Sequence, residues 1–247
     1  MTDYCRSNIV RIVFNGVDCK FGVSFTGGEL MLSVLDLYCG AGGASHGLWQ
    51  AGFELVVGVD NSPQPRYPFA FLEMDALSVE SIVGNFDFVW ASPPCQVYTA
   101  YQRSGNVAVE KHVDLIAETR EMLERAGVYY VIENVPGSPL QHPVQLCGSS
   151  FGLDIRRHRW FESNFQLFGP PCKHGWQRPR FPCAGNRRRL RKTVEIGVWR
   201  IPLETQQHAM GINWMDKWEL SQAVPPAFSK YIGESFLSKG EKQGFIF

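Results

Sequence analysis

The chain has 247 residues, 45% hydrophobic and 19% charged, with 24 basic residues balancing 24 acidic ones. That length and apolar share suit one large domain, or one with a small appendage, and exclude general disorder; no apolar run nears the roughly 18 residues that cross a membrane. The opening MTDYCRSN has no basic region followed by an apolar stretch, and the seven cysteines form no CxxC, so a reduced, cytoplasmic monomer is expected rather than a secreted disulfide scaffold.

Taken in chain order, residues 1–31 form an extension in which NIVRIVF and KFGVSF can pair as a hairpin across NGVDC. From Leu32 the pattern turns to alternating strands and helices. LSVLDLY reads as a buried strand that runs into CGAGGASHG and a helix through Ala51. ELVVGVD, FAFLEMD and FDFVWA read as the next three strands. EKHVDLIAETREMLERAG repeats its apolar residues at helical spacing and closes on Gly127. VYYVIENV is a fifth strand, and such alternation predicts a parallel sheet wrapped by helices. Beyond Phe165 the periodicity fails, and PPAFSKYIGESFLSK then predicts a final helix opening at proline. The expected division is 1–31, a catalytic and cofactor-binding domain over 32–165, a basic recognition region over 166–200, and a segment over 201–247 returning to the catalytic domain.

The strand-to-loop passage LDLYCGAGG places Gly40, Gly42 and Gly43 where a ligand can approach backbone N–H groups. Asp60 ends the second strand about twenty residues later and suits ribose hydroxyls. Asp75 ends the third and suits an adenine amine, so the three features outline an adenosine site. The loop does not spell GxGxxG, which makes NAD a poor fit.

SPPC presents Cys95 at the carboxyl edge of a strand, where open α/β sheets bind ligands. Two prolines stiffen the loop, and a thiol on rigid backbone reads as a nucleophile. Glu133 and Asn134 end the fifth strand, and neighbouring strand ends lie about 5 Å apart, so Glu133 can share the Cys95 pocket. In RRHR, Arg157 and Arg159 alternate and would face one way in an extended segment. The plainer alternatives are a capping carboxylate and surface charge. Cys5, Cys19, Cys39 and Cys147 read as small buried hydrophobes.

The charge is unevenly spread. From Arg156 to Lys192 eleven basic residues face Glu162 alone, a net +10 that the rest of the chain offsets. With GNRRRLRK at its centre, the segment predicts a polyanionic partner, nucleic acid above all. It also holds Cys172, His174 and Cys183, a fragment of a zinc set with no evident fourth ligand; ordinary thiols in a Pro-rich loop are expected, and no metal is assigned.

DLYCGAGGASHG, SPPCQ, ENV, RRHR and AVPPAFSKYIG occur in the order shown by DNA cytosine-C5 methyltransferases, and the chain resembles that family from Val34 to about Leu237. The resemblance implies an α/β, Rossmann-like sheet of seven strands, mostly parallel with one antiparallel, helices on both faces and a small irregular recognition region. It implies S-adenosyl-L-methionine as cofactor, held by Tyr38, Cys39, Gly40, Ala41, Gly42, Gly43, Asp60, Asn61, Asp75, Ala76, Pro93, Gln222 and Val224. It implies catalysis by Cys95, Glu133, Arg157 and Arg159. DNA, double-stranded, would be held by Pro94, Gln96, Asn134, Arg187, Arg188, Arg189 and Arg191. Tyr38 stands where the family usually has phenylalanine, and Gln222 where it has asparagine. Between the arginine and late motifs only Gln166 to Arg200 is available for target recognition, so a short site of about two to four base pairs is expected. A tRNA-type cytosine substrate, a non-catalytic DNA-binding module and a free nucleotide substrate are the alternatives.

Overall fold

The computed structural model describes residues 11–13, 22–24, 31–99, 113–174 and 193–243. Strands β1 (Arg11–Val13) and β2 (Gly22–Ser24) pair antiparallel, with Ile12 opposite Val23. The second sheet holds seven strands: β3 (Ser33–Leu37), β4 (Leu55–Asp60), β5 (Ala70–Glu73), β6 (Phe88–Ala91), β7 (Tyr129–Asn134), β8 (Val144–Leu146) and β9 (Arg159–Ser163), in the order β5-β4-β3-β6-β7-β9-β8. The first five are mutually parallel. β9 runs antiparallel to both β7 and β8, so it is the single reversed strand of this sheet.

The strands are apolar runs because the sheet is covered on both sides. Successive side chains alternate between two cores. Leu35, Leu37, Val57, Val59, Val89 and Ile132 pack on one face with Met122 and Leu123 of the helix Ile116–Ala126. Val34, Val56, Phe88, Trp90 and Val131 pack on the other with Leu48 of helix α1 (Gly43–Ala51) and with Phe228, Ile232 and Phe236 of the last helix. Naming helices in chain order, α2 is Glu80–Val83, α3 Ile116–Ala126, α4 Leu203–Met210, α5 Lys217–Gln222 and α6 Pro226–Gln243. α6 opens at Pro226, as its sequence predicts, and lies hard against α1. A Cβ on Gly47 would come within 2.1 Å of both the Pro226 carbonyl and Ser229 Oγ, so the close approach requires glycine there.

α4 and α5 form a third apolar group. Met210, Ile212, Met215 and Leu220 cover Ala41 of the glycine loop, and Trp214 Nε1 donates to the Ala41 carbonyl at 2.8 Å. α5 begins in a capping box in which Asp216 and Glu219 exchange side-chain-to-backbone bonds. The C-terminal segment therefore closes over the carboxyl edge of the sheet. No helix among the described residues is long and apolar enough to cross a membrane.

Two local readings are corrected. α3 starts at Ile116, where Asp114 Oδ1 accepts the Ile116 N–H at 3.0 Å; residues 113–115 are not helical, and 110–112 of the predicted helix lie outside the described residues. The RRHR segment is not extended throughout: Arg157 has φ 33° and the strand begins only at Arg159. A residue in the left-handed region between them breaks the alternation, so the two arginines do not project alike.

Candidate active site

The glycine loop follows β3 through Tyr38 (φ 58°), Gly40 (φ 49°) and Gly42 (φ 82°). Asp60, at the end of β4, fixes the turn: its carboxylate accepts the Gly40 N–H and the Ser62 N–H, each at 3.0 Å. In front of Gly40 a Cβ would meet nothing within 4 Å, which leaves open space above its backbone. Tyr38 is half-buried, and its hydroxyl lies 2.9 Å from Thr119 Oγ1 on α3. The tyrosine that replaces phenylalanine thus gains an anchor and keeps its ring on the cavity wall.

That cavity, about 510 Å³, runs along the carboxyl ends of β3, β4, β6 and β7. Tyr38, Cys39, Gly40, Ala41, Gly43, Asp60, Asn61, Asp75 and Ala76 line one part of it. Pro93, Pro94, Cys95, Gln96, Glu133 and Arg159 line another, and Gln222 and Val224 close it from the segment before α6. Cys95 and Glu133 therefore face a single cleft shared with the glycine loop. The reason is topological: β6 and β7 are adjacent and parallel, with Ala91 opposite Ile132, so the next residues of both chains emerge side by side.

Three candidates do not line the cleft. Gly42 faces Pro68 and Tyr67, and a Cβ there would come within 2.9 Å of Pro68 Cδ. Asn134 is 1% exposed and donates Nδ2–H to the Pro93 carbonyl at 3.0 Å while its Oδ1 accepts the Val135 N–H. It braces the proline loop from beneath. Arg157 donates from Nε to the Ala223 carbonyl at 3.0 Å and from Nη2 to the Ser221 carbonyl at 2.7 Å. Its fork is spent on the C-terminal segment, which it ties to the start of β9. Arg187, Arg188, Arg189, Arg191 and Cys183 lie outside the described residues.

Arg159 is the arginine of the pocket. Its Nε lies 2.9 Å from Glu133 Oε1, and both side chains are nearly buried. Burial pushes the Glu133 carboxyl above its ordinary range, while Arg159 and Arg157 pull it back. Burial also raises the Cys95 thiol, and Glu133 raises it further; Arg159 and Arg157 lower it by less. The two arginines favour the thiolate, but desolvation and the carboxylate outweigh them. The resting pair is a thiol beside a carboxylate that accepts protons readily.

Asp36 is the residue that sequence reasoning missed. It sits in the middle of β3, fully buried, and reaches the floor of the cleft. Ser45 and Tyr67 form a chain of hydroxyls beside it, yet Asp36 Oδ1 has no partner. An acid within the apolar run LSVLDLY was the available signal. Burial raises its pKa to about 7; Ser45 counteracts this, and Asp60 and Glu133 add to it. A raised acid binds its proton more tightly in the native than in the unfolded chain, so stability falls as pH climbs from the unfolded value through 7. Guanidinium titrations at pH 5 and pH 8 are expected to differ by about 3 kcal/mol through this group, and Asp36→Asn is expected to remove that difference. An unchanged slope in the variant would show that another group carries it.

Residues 32–142 match the family model of C-5 cytosine-specific DNA methylases. The Type II methylase M.HgiDII of Herpetosiphon aurantiacus is 26% identical over 117 residues, covering 42% of this chain and 33% of that protein. The human tRNA (cytosine(38)-C(5))-methyltransferase is 28% identical over 161 residues, covering 53% of this chain and 41% of that protein. The chain thus spans between a third and about two fifths of these relatives' length. Among solved structures, Entamoeba histolytica methyltransferase EhMeth superposes with a TM-score of 0.53 at 12% identity, covering 85% of this chain and 99% of that one. A prophage-encoded E. coli chain assigned as a DNA modification methyltransferase gives 0.54 at 15% identity, covering 84% and 99%. These two show the same fold. Residues 32–142, a little under half of the chain, thus resemble the C-5 cytosine-specific DNA methylase family, and the sheet order and glycine loop accompany that match.

Proposed function

We propose that the chain methylates C5 of cytosine in DNA, using S-adenosyl-L-methionine. The observation that carries this reading is the single cleft that Cys95, Glu133 and the glycine loop share. Its volume of about 510 Å³ suits a nucleoside-sized ligand. Asp60 keeps lone pairs beyond its two backbone bonds for ribose hydroxyls, and Asp75 has one oxygen on the Leu77 N–H and one free for an adenine amine. Gly40 leaves the room that a ligand backbone contact needs. Tyr38 and Val224 supply apolar walls. When bound, the cofactor supplies an electrophilic methyl group on a sulfonium.

Cytosine C5 is a poor nucleophile until C6 is attacked. Cys95 makes that addition: its sulfur bonds to C6, and the ring becomes enamine-like at C5. Glu133 protonates or holds N3 and accepts from the exocyclic amine, drawing electrons away from C6. Arg159, already paired with Glu133, orients that carboxyl and donates to the O2 side of the ring. After methylation, loss of the C5 proton and departure of the Cys95 sulfur restore aromaticity. Pro93 and Pro94 hold the thiol in place, with Asn134 bracing Pro93 from below. A paired base cannot reach such a cleft, so the target cytosine swings out of the duplex.

The fit of the cofactor is open to direct measurement. Asp60→Asn keeps the shape but replaces an acceptor-only carboxylate, and calorimetry is expected to show about tenfold weaker S-adenosyl-L-methionine binding. Unaltered affinity would remove Asp60 from the site.

Similarity to a tRNA methyltransferase favours RNA as the second reading. Labelled-methyl transfer to duplex DNA, to tRNA and to free deoxycytidine nucleotides, run in parallel, separates the readings. Label in DNA alone is expected, weakening steeply with salt as phosphate contacts are screened; label in tRNA alone would overturn the DNA assignment. Sequencing of modified cytosine in host DNA is expected to reveal a short target, and a defined site of six or more base pairs would contradict it.

A further inference from the structure

Cys147, His158, Cys172 and His174 come together where β8 ends and β9 begins. One donor atom from each lies within 4.8 Å of every other. We propose that these four residues form a structural zinc site. The inference does not depend on the methyl-transfer reading.

Each ligand comes from a different piece of chain or a different turn of it. Cys147 follows β8 directly and is fully buried. His158 immediately precedes β9. Cys172 and His174 come from the segment that leads away from the sheet toward the basic residues. Cys147 Sγ lies 3.0 Å from His174 Nε2, and Cys172 Sγ lies 3.5 Å from His158 Nε2. Zinc bonds of about 2.3 Å to sulfur and 2.0 Å to nitrogen, arranged tetrahedrally, put neighbouring sulfur and nitrogen ligands about 3.5 Å apart. The cluster is thus at the scale of a tetrahedron around one ion. Two thiolates and two imidazoles are the ligand set of closed structural zinc sites, and the two thiolates neutralise the dication.

The surroundings suit thiolates. Ser149 Oγ lies 3.1 Å from Cys147 Sγ, and Gln145 Nε2 lies 3.9 Å from Cys172 Sγ. Such donors tune and orient sulfur ligands. Ser149 Oγ also accepts the Lys173 N–H at 3.0 Å, holding the Cys172–His174 segment against the turn after β8. Cys147 Sγ further lies 3.1 Å from the Arg156 carbonyl, a contact that a thiol donates and a metal-bound thiolate gives up. The set differs from the fragment seen in sequence. Cys172 and His174 join Cys147 and His158, while Cys183 lies outside the described residues, and Cys147 is a prospective ligand rather than a plain apolar filler.

The consequence is mechanical. His158 stands between Arg157, which holds the Ser221 and Ala223 carbonyls, and Arg159, which pairs with Glu133. One ion would fasten that turn, the end of β8 and the root of the basic segment to one point. The metal thereby fixes where the basic segment leaves the catalytic sheet.

The test uses the full chain, produced with added zinc and purified without a metal-affinity tag. Elemental analysis after dialysis is expected to give about one zinc per chain. Cobalt substitution is expected to give thiolate-to-metal charge-transfer bands and the intense visible bands of a tetrahedral site. Cys172→Ser, at an exposed position, is expected to weaken zinc more than about 100-fold in competition with a chromophoric chelator while the chain stays folded by circular dichroism. Cys147→Ser tests the buried ligand, and Cys183→Ser is expected to keep full occupancy. Three results would each overturn the proposal: no stoichiometric zinc and no cobalt spectrum in folded protein, a Cys147–Cys172 disulfide in the native chain, or zinc lost with Cys183 and kept without Cys172.

Discussion

Cys95→Ala is expected to lower methyl transfer by at least about 10⁴-fold and to leave S-adenosyl-L-methionine affinity unchanged. The argument is local. Cys95 stands at the N-terminal end of a single 3₁₀ turn, Gln96–Tyr98, half-buried at the cleft wall. Its sulfur is the one group there that can form and break a bond to carbon, and without it C5 stays unreactive. Apart from Pro93, the residues proposed to hold the cofactor lie on the glycine loop, after β4 and β5, and before α6, not on the Cys95 loop. Labelled-methyl transfer in single turnover, beside calorimetry of cofactor binding, separates the two quantities. Turnover within 100-fold of the parent would refute the nucleophile. A second readout uses duplex DNA carrying 5-fluorocytosine. Fluorine cannot leave as a cation, so a covalent complex is expected to build up with the parent chain and to be absent with Cys95→Ala. No trapped complex in the parent under turnover would exclude addition at C6.

The sheet was legible because its central strands are buried on both faces, and such strands write themselves as apolar runs bounded by glycine and acid. The pocket was legible in part for the same reason. Strand ends in a parallel sheet are neighbours, so Cys95 and Glu133 follow from strand order. β8 and β9 were harder to read: VQL is three residues long, and RWFES alternates too little to stand out from a loop. Arg157 was misread because left-handed backbone at a non-glycine residue leaves no trace in composition. Asn134 was placed on the right strand end but given the wrong task, since its neighbour in space, Pro93, is 41 residues away. The cysteine–histidine cluster fails the local-spacing test altogether. Its four members are gathered by the pairing of β8 with β9, which puts Leu146 opposite Arg159 and so sets Cys147 near His158.

Glu133→Gln is expected to lower kcat by about 10²–10⁴-fold and to change the shape of its pH profile. Glutamine keeps a carbonyl for Arg159 and so avoids the cost of stranding a buried guanidinium, which Glu133→Ala would incur. What it loses is the proton that stabilises the ring as sulfur adds. In the parent chain two ionisations oppose each other. The active form needs Cys95 deprotonated and Glu133 protonated, yet the thiol sits above its ordinary value and the carboxyl, though raised, titrates at lower pH. The thiolate fraction grows tenfold per pH unit while the acid fraction falls tenfold, so between the two pKa values their product is flat. Removing the acid removes the falling factor. The Glu133→Gln profile is therefore expected to rise with pH across the range where the parent is level. The substitution also takes away the second cause of the high Cys95 pKa, so at fixed pH iodoacetamide should alkylate Cys95 faster in Glu133→Gln than in the parent. Slower or equal alkylation, with a level pH profile in the variant, would mean that carboxyl and thiol do not sense each other, and the shared-cleft mechanism would fall with that result.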